Sequence, residues 1–219
     1  MYKYIKRLID ILFSLLLLIL LSPLFLILTV LLLLTGEHKV FYRQNRVGFR
    51  KQPFKILKFA TMLQNSPNIG TGSLTLRNDP RVLPVGRFLR KTKLNELPQI
   101  INVLTGDMSI IGPRPIMEVD FKRYPKDIQE IIYNLKPGIT GIGSIVFRDE
   151  ESITSKAKGR EAEVYENVIA PYKGALELWY QKNISFITDI KLMFLTCWII
   201  IKPTSRLQYK MLKGLPERI

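Results

Sequence analysis

The residues best suited to chemistry lie in two short segments near the middle of the chain. Asn95 and Glu96 stand just before an apolar run that ends at Leu104, and Arg114 lies between two prolines in GPRP, residues 112–115. Proline on each side restricts the backbone, and a guanidinium held in place can bind phosphate oxygens bidentately. The free N–H groups of a helix that begins near Asn95 would favour the same ligand. These residues indicate phosphate chemistry.

The same residues also have a purely structural interpretation. Asn95 is a good helix N-cap, and Glu96 in the first turn would complement the helix dipole without reacting. Pro98 is compatible with a first helical turn, where N–H groups have no intrahelical partner. GPRP in turn can be a rigid turn with an exposed arginine. Residue types alone leave both interpretations open.

The composition limits the kinds of partner and of catalytic group that the chain can use. The chain has 219 residues, and its 33 Lys and Arg against 18 Asp and Glu give a net charge of +15. This charge suits a phosphate-rich partner such as nucleic acid, anionic lipid or a nucleotide. A lone cysteine, Cys197, forms no internal disulfide, and a lone histidine, His38, excludes two-histidine metal motifs. Carboxylates, Lys, Arg and a metal held by oxygen ligands remain as the means of catalysis.

An apolar N-terminal run must place these residues at a membrane. Residues 11–34 carry no charge and are long enough to span a bilayer. Basic residues flank both ends, and the positive-inside rule favours keeping both flanks cytoplasmic. A break at Ser22 and Pro23 would let the helix re-enter on the same side, with the serine hydroxyl satisfying a carbonyl freed by the proline. A kinked spanning helix is the alternative, and the long run disfavours a cleaved signal peptide.

Beyond residue 36 the pattern predicts a hairpin followed mainly by helices. VFY at 40–42 and FKILKF at 54–59 alternate as short strands around a basic turn. The other predicted elements are an amphipathic helix in 79–93, a helix in 118–135, a turn at 136–141 and a core or interfacial helix at 192–201. The predicted fold class is α+β, mainly helical. A re-entrant membrane helix occupies 1–36, and 37–219 forms one small cytosolic catalytic domain with a short β-hairpin and interfacial amphipathic helices.

Seven segments, in order, resemble the bacterial sugar transferase family, the small monotopic polyprenyl-phosphate phosphoglycosyl transferases. They are KRLIDILFS, SPLFLI, RVGFRKQPFKILKFATM, DPRVLPVGRFLRKT, NELPQIINVLTGDMSIIGPRP, KPGITG and NISFITDIKL. The resemblance implies a re-entrant helix hinged at Ser22 and Pro23 in the bacterial inner membrane, with a cytoplasmic catalytic domain. It also implies Mg²⁺-dependent transfer of a phosphosugar from a UDP-sugar to undecaprenyl phosphate, with release of UMP. Such a reaction is the first membrane step of a surface glycan such as capsule, O-antigen or lipopolysaccharide.

The resemblance also implies roles for individual residues. Glu96 matches a catalytic glutamate that acts with the magnesium ion, whereas Arg90, Arg114 and, more loosely, Arg148 match arginines near the phosphates. Asn95 stands where the family has a nucleophilic aspartate, and an amide is a poor nucleophile. Three accounts stay open: an inactive form, engineered or natural; direct displacement with Glu96 as base; or Glu96 as the nucleophile.

Two other function classes compete with the transferase. A catalytically inactive homologue that binds nucleotide sugar or scaffolds partner enzymes is supported by Asn95. A membrane-anchored nucleic-acid binder rests on charge alone, and since no nucleic-acid module is recognised, no such partner is expected. Asp107 in TGDMS is expected to be structural. Sugar specificity is expected in the loops 64–78 and 142–172, and the oligomeric state, with a homodimer as one candidate, is left open.

Overall fold

The computed structural model describes residues 2–69, 79–148, 150, 153 and 159–217. Its helices are α1 Tyr2–Leu34, α2 Pro84–Lys91, α3 Gln99–Thr105, α4 Glu118–Phe121, α5 Lys126–Ile131, α6 Ile142–Val146, α7 Glu161–Val164, α8 Ala170–Lys182, α9 Phe186–Ile201 and α10 Leu207–Met211. Its strands are β1 Phe41–Val47, β2 Pro53–Phe59, β3 Ser109–Ile111 and β4 Gly138–Thr140. The fold is therefore α+β and mainly helical, as predicted. Residues 70–78 and 154–158, which fall in the two predicted specificity loops, lie outside the described residues.

Helix α1 is the long apolar element that the sequence predicts. Its most apolar 18-residue window has a mean hydropathy of 3.0, and only 11% of that window is buried in the domain. The helix continues through Pro23 rather than ending there. Pro23 has no N–H for the carbonyl of Ile19, and the Ser22 hydroxyl donates to that oxygen at 2.8 Å instead. The hydrogen bond predicted for the serine is thus present, whereas the predicted break at Ser22 and Pro23 is not, because the helix continues through both residues.

Both ends of α1 pack against the rest of the chain. Near its start, the Arg7 guanidinium donates to the carbonyls of Val103 and Leu104 at the end of α3, at 2.6 and 2.8 Å. Such a cation satisfies free carbonyls at a helix C-terminus. Near its end, Leu28 and Leu32 are buried in a cluster with side chains of β2 and α2. The middle of α1 is more exposed, and both flanks of the apolar run lie on the same domain.

The hairpin of β1 and β2 forms where the sequence predicts it. The strands are antiparallel, with Phe41 opposite Phe59 and Val47 opposite Pro53, so the first strand extends beyond the predicted residues 40–42 and includes Arg46 and Val47 of the predicted turn. The buried Asn102 of α3 fixes this hairpin to the helix. Its Oδ1 accepts from the backbone N–H of Leu57 at 2.8 Å, and its Nδ2 donates to the Lys55 carbonyl at 3.0 Å. Strand β2 is thereby held beside the segment that carries Asn95 and Glu96.

A second sheet pairs the segment before GPRP with KPGITG. Strands β3 and β4 are parallel, so part of the predicted turn at 136–141 is a strand. Gly112 donates its N–H to the Thr140 carbonyl at 3.0 Å, and Gly138 donates to the Pro113 carbonyl at 2.8 Å. A Cβ at position 112 would collide with the Lys136 carbonyl oxygen, so this close approach requires glycine. The two motifs form one rigid unit.

The remaining predicted helices are present with changed boundaries. The amphipathic helix predicted in 79–93 is α2, which spans eight residues of that range. The helix predicted in 118–135 divides into α4, α5 and a 3-10 turn, and Pro125 at the N-cap of α5 separates the first two. The segment 192–201 belongs to α9, whose Leu192 and Leu195 are core residues while Phe194 and Ile201 are exposed. It is a core helix with one apolar face outward.

Candidate active site

Asn95 and Glu96 lie in a turn that precedes α3. Leu94–Glu96 form a 3-10 turn that follows Lys93 in a left-handed conformation, with φ 62°. Pro98 occupies the N-cap position of α3 and makes no side-chain capping bond. The prediction that Asn95 caps this helix is therefore wrong, because the helix starts only after the proline. Asn95 is instead 6% exposed, and its Oδ1 is buried without a hydrogen-bond partner among the described residues.

The Glu96 carboxylate meets two cations through one of its oxygens. Arg114 Nη2 lies 3.5 Å from Glu96 Oε1, and Lys58 Nζ lies 3.7 Å from the same oxygen. The side chains of Glu96 and Lys58 are 17% and 18% exposed, whereas that of Arg114 is 40% exposed. The structure thus brings together Glu96 and Arg114, 18 residues apart, and adds a lysine from β2. The described contacts leave Glu96 Oε2 available to a ligand.

Electrostatics keep this carboxylate ionised. Burial alone would raise the pKa of Glu96, but Arg114, Lys58, Lys93 and Arg46 outweigh it and lower that pKa to about 2. Burial also lowers the pKa of Lys58 to about 8, against the opposing effect of Glu96. The pKa of Arg114 is raised, mainly by the negative charge of Glu96. One negative charge therefore lies within a group of at least four cations, a setting suited to a multiply charged anion.

Two further basic residues come from two different elements, β1 and α2. Arg46 of β1 is half-buried and donates to Gln44 Oε1 at 2.6 Å and to the Pro115 carbonyl at 3.4 Å. Burial lowers the pKa of Arg46, and the positive charge of Arg114 lowers it further. Arg90 lies in the last turn of α2, and its positive charge helps to lower the pKa of Lys58, which places it on the same side of the molecule.

Sequence reasoning missed Lys58, Arg46 and Lys93. Lys58 alternates with buried Phe59 in a strand and resembles a solvated lysine, and its contact with Glu96 spans 38 residues of chain. The one available signal was its place in KFATM, a segment that resembles the family.

Arg148 is placed differently from the other predicted phosphate-binding residues. Its side chain is exposed, and Nη1 donates to the Ile199 carbonyl near the end of α9. It lines an open cleft with Ser205, Arg206 and Lys210. The described contacts join Arg148 to α9 and not to Glu96, and its predicted role stays a prediction. Asp107 stabilises the turn in which it lies by accepting a hydrogen bond from the Thr105 hydroxyl at 3.0 Å, in keeping with a structural role.

The donor atoms near Glu96 fit a magnesium ion only together with a substrate. Among the described residues no group of three or more His, Cys, Asp or Glu can hold a metal. Mg²⁺ commonly binds through one or two carboxylates plus substrate phosphates and water. Glu96 Oε2 supplies one such oxygen, and the buried Oδ1 of the adjacent Asn95 lacks a partner. This donor set fits an ion that arrives with a diphosphate.

Comparison with known proteins gives a consistent family assignment. The sequence model described as bacterial sugar transferase matches residues 1–203. The chain is 33% identical over 214 residues to the undecaprenyl-phosphate galactose phosphotransferase of Salmonella typhimurium. It is 36% identical over 198 residues to the UDP-glucose:undecaprenyl-phosphate glucose-1-phosphate transferase of Escherichia coli. It is also 33% identical over 205 residues to the exopolysaccharide production protein ExoY of Sinorhizobium fredii.

These relatives differ in how much of their length is matched. The alignments include 91% of this chain and 41% of the Salmonella protein, and 89% of this chain and 39% of the Escherichia coli protein. The chain thus spans about two-fifths of those proteins. For the Sinorhizobium protein the shares are 87% of this chain and 83% of the relative. The residues that the family model matches include Lys58, Glu96 and Arg114.

Proposed function

Because the chain belongs to the bacterial sugar transferase family, we propose that it transfers a sugar 1-phosphate from a UDP-sugar to undecaprenyl phosphate and releases UMP. The observation that carries this proposal is the ionised Glu96 among Lys58, Arg114 and further cations. This cluster has an excess of positive charge, and the diphosphate of a nucleotide carries several negative charges that would balance it. The relatives' names specify galactose in one case and glucose in another, so the sugar is not assigned.

The reaction requires positioning and charge neutralisation more than proton transfer. An acceptor phosphate oxygen attacks the phosphorus nearest the sugar, the bond from that phosphorus to the bridging oxygen breaks, and UMP leaves with the bridging oxygen. The equatorial oxygens carry most of the negative charge in such a transfer. Arg114 and Lys58 can neutralise this charge, and the rigid turn around Arg114 means that little reorganisation is needed.

The low pKa of Glu96 bears on how the acceptor is activated. A general base works best with a pKa near the operating pH, and a carboxylate with a pKa of about 2 is a weak base. A phosphate monoester has its second pKa near about 6, so the acceptor is already largely ionised at neutral pH. We therefore assign attack to the acceptor itself, with Glu96 as a charged positioning group. Asn95, as an amide, takes no covalent part in this scheme.

A magnesium ion belongs to the proposal as the partner of the diphosphate. When bound, Mg²⁺ would neutralise part of the diphosphate charge and hold its oxygens in one orientation. Glu96 Oε2 would hold it, with the Asn95 amide oxygen as a second donor. The surrounding cations would repel a free ion, so we expect Mg²⁺ and nucleotide to bind together rather than separately.

The packing of α1 supports the re-entrant arrangement in a bilayer. A helix of 33 residues is about 50 Å long, whereas the hydrocarbon core is about 30 Å thick. A spanning helix would carry one end away from the domain, yet Arg7 and Leu32 contact the same domain from opposite ends of the helix. Both flanks would then face the cytoplasm at the inner membrane, where the acceptor phosphate lies.

Cysteine labelling tests this topology. Cysteines at Lys3 and Lys39, each in a Cys197→Ser background, flank the apolar run. Both should react with a membrane-impermeant maleimide in inside-out vesicles and neither in right-side-out vesicles. Labelling of the two positions from opposite sides would establish a spanning helix and contradict the re-entrant arrangement.

The asparagine at position 95 favours a second candidate function, that of an inactive homologue that binds nucleotide sugar. UMP release from a panel of UDP-sugars, with and without undecaprenyl phosphate, separates the possibilities. Direct transfer requires acceptor-dependent UMP release that is lost in Glu96→Gln. UMP released in one equivalent without acceptor would indicate a covalent intermediate on Glu96 and contradict direct displacement. UDP binding without any turnover would support the inactive homologue.

A further inference from the structure

A buried tyrosine hydroxyl lies against the turn that carries Arg114. Tyr133, in the 3-10 turn that follows α5, is 1% exposed. Its hydroxyl donates to the Arg114 carbonyl at 2.8 Å and accepts from the backbone N–H of Ile116 at 3.2 Å. Burial raises the pKa of Tyr133, so the hydroxyl keeps the proton that it donates. One side chain from another segment therefore bonds the backbone on both sides of Pro115.

The proline accounts for the need of a side chain at this point. Pro115 offers no N–H, so strand pairing cannot run through it. The carbonyl of Pro113 accepts from a backbone N–H of β4 at 2.8 Å, and that of Ile116 accepts from a backbone N–H of β1 at 2.9 Å. Between them, the Arg114 carbonyl accepts from the Tyr133 hydroxyl. The hydroxyl thus joins two stretches of backbone that are fixed by different sheets.

The ring of Tyr133 has a separate role in packing. It belongs to a buried apolar cluster with Ile116, Phe121 and Ile128, and its centroid lies 5.7 Å from that of the Phe121 ring. Phenylalanine would fill the same space without the cost of burying a hydroxyl. What the hydroxyl adds is its pair of hydrogen bonds to the turn.

The Arg114 guanidinium is less restrained than the backbone that carries it. Pro113 and Pro115 are buried, whereas the Arg114 side chain is 40% exposed. Among the described residues its salt bridge is with Glu96, at 3.5 Å. A long side chain with one such ion pair is displaced when its backbone rotates, and its many rotamers make it costly to order again. The direction of the guanidinium toward Glu96 therefore depends on the rigidity of the turn.

We propose that Tyr133 is a positioning residue that acts through Arg114. By bonding the Arg114 carbonyl and the Ile116 N–H, its hydroxyl fixes the turn around Pro115, so that the guanidinium faces the phosphate site at Glu96 before a ligand binds. This inference rests on the proposed function, because the ligand that Arg114 meets is taken to be the diphosphate of a nucleotide.

A double-mutant cycle tests the inference. UDP with Mg²⁺ is titrated calorimetrically onto the full chain in nanodiscs, for the parent, Tyr133→Phe, Arg114→Ala and the double variant. Tyr133→Phe should weaken UDP binding about fivefold, a coupling within the range that residues of one hydrogen-bond network show. In the Arg114→Ala background the same substitution should change UDP binding by less than about twofold.

The melting temperature separates positioning from stability. The Tyr133 hydroxyl bonds main-chain groups that Arg114→Ala leaves in place, so Tyr133→Phe should lower the melting temperature equally in both backgrounds. Tyr124→Phe is a matched control, because it removes a hydroxyl buried in the same apolar cluster, and no hydrogen bond among the described residues joins that hydroxyl to residues 112–116. Its UDP affinity should equal that of the parent.

Hydrogen exchange of the parent covers the case in which Tyr133→Phe does not fold. The Ile116 N–H should be protected without UDP, because its bond to the Tyr133 hydroxyl exists before a ligand arrives. Mass spectrometry of a peptide that contains the turn can follow this N–H, since Pro113 and Pro115 have none. Rapid exchange that slows only when UDP is added would overturn the inference, because the turn would then be ordered by the ligand.

The outcomes of the cycle distinguish this inference from the proposed function. Equal losses of UDP affinity in the parent and Arg114→Ala backgrounds would overturn the positioning role and leave a general structural one. Unchanged affinity in Tyr133→Phe would overturn it as well, and neither result would affect the proposed function. Failure of the parent to bind UDP would overturn the proposed function and this inference with it. A loss of affinity confined to the parent background is the expected result.

Discussion

Replacing Glu96 by glutamine should destabilise the protein in a way that depends on pH. The pKa of Glu96 is lowered from its ordinary value of 4.5 to about 2 in the folded protein. This shift corresponds to about 3 kcal/mol of stabilisation of the ionised form at neutral pH. Glutamine resembles the protonated acid in shape and charge. At pH 7 the free energy of unfolding should therefore fall by up to about 3 kcal/mol, or about 6–12 °C in melting temperature for a chain of this size.

The sign of the pH effect follows from the lowered pKa. A carboxylate with a depressed pKa in the folded state stabilises the protein above its unfolded pKa and loses that contribution as the pH falls. The difference between parent and Glu96→Gln should be full at pH 7, about half as large at pH 3, and absent below about pH 2. Circular dichroism melts in detergent micelles at several pH values measure it.

A matched control is available on the same chain. Glu118 pairs with Lys122 at 2.8 Å on an exposed helical face. Exposed pairs contribute little, so Glu118→Gln should melt close to the parent at pH 7. A Glu96→Gln melting temperature equal to that of the parent at pH 7 would refute the electrostatic description of the site. A deficit that stays constant down to pH 2 would also refute it, since it would then arise from packing.

Three further predictions concern Lys58, the close approach at Gly112 and the contacts at the start of α1. UDP affinity should fall as the pH rises through about 8, because the pKa of Lys58 is lowered to that value and the lysine then loses its charge; Lys58→Arg should flatten this profile in calorimetric titrations. Gly112→Ala should lower the melting temperature by several degrees or prevent folding, since the added Cβ meets the Lys136 carbonyl, while Val119→Ala on the surface should change it little. Asp189→Ala should expose Lys6 to trypsin, because Asp189 accepts from the side chains of both Tyr2 and Lys6 at the start of α1; unchanged digestion would show that α1 is held by its other contacts.

Local patterns were enough to predict several elements of the fold. The uncharged, leucine-rich run predicted α1, and alternating apolar residues predicted the β1–β2 hairpin. Ser22 contacts the carbonyl that Pro23 leaves free, as the sequence predicts. These features depend on neighbours in sequence, where helix and strand periodicity is informative. The parallel pairing of β3 with β4 was missed because it joins segments about 29 residues apart, as in Ser109 with Gly138.

The candidate site was predicted only in part, for similar reasons. The resemblance to the family identified Glu96 and Arg114, and the structure brings them together. The cap assigned to Asn95 was wrong because Pro98 delays the start of α3 and tertiary packing buries the amide. Lys58 stands in a segment whose polarity resembles that of an ordinary surface strand, and its contact with Glu96 depends on long-range packing. Such contacts have no local signal in one sequence.

The most direct test of the proposed transferase is to identify its lipid product. Purified protein, Mg²⁺, undecaprenyl phosphate and a panel of UDP-sugars are incubated, and undecaprenyl diphosphate-linked sugar is measured by mass spectrometry for the parent, Asn95→Asp and Glu96→Gln. The proposal predicts product from the parent with at least one UDP-sugar and none from Glu96→Gln. Product from Asn95→Asp alone would contradict it and show that this chain carries a working fold with an inactivated centre.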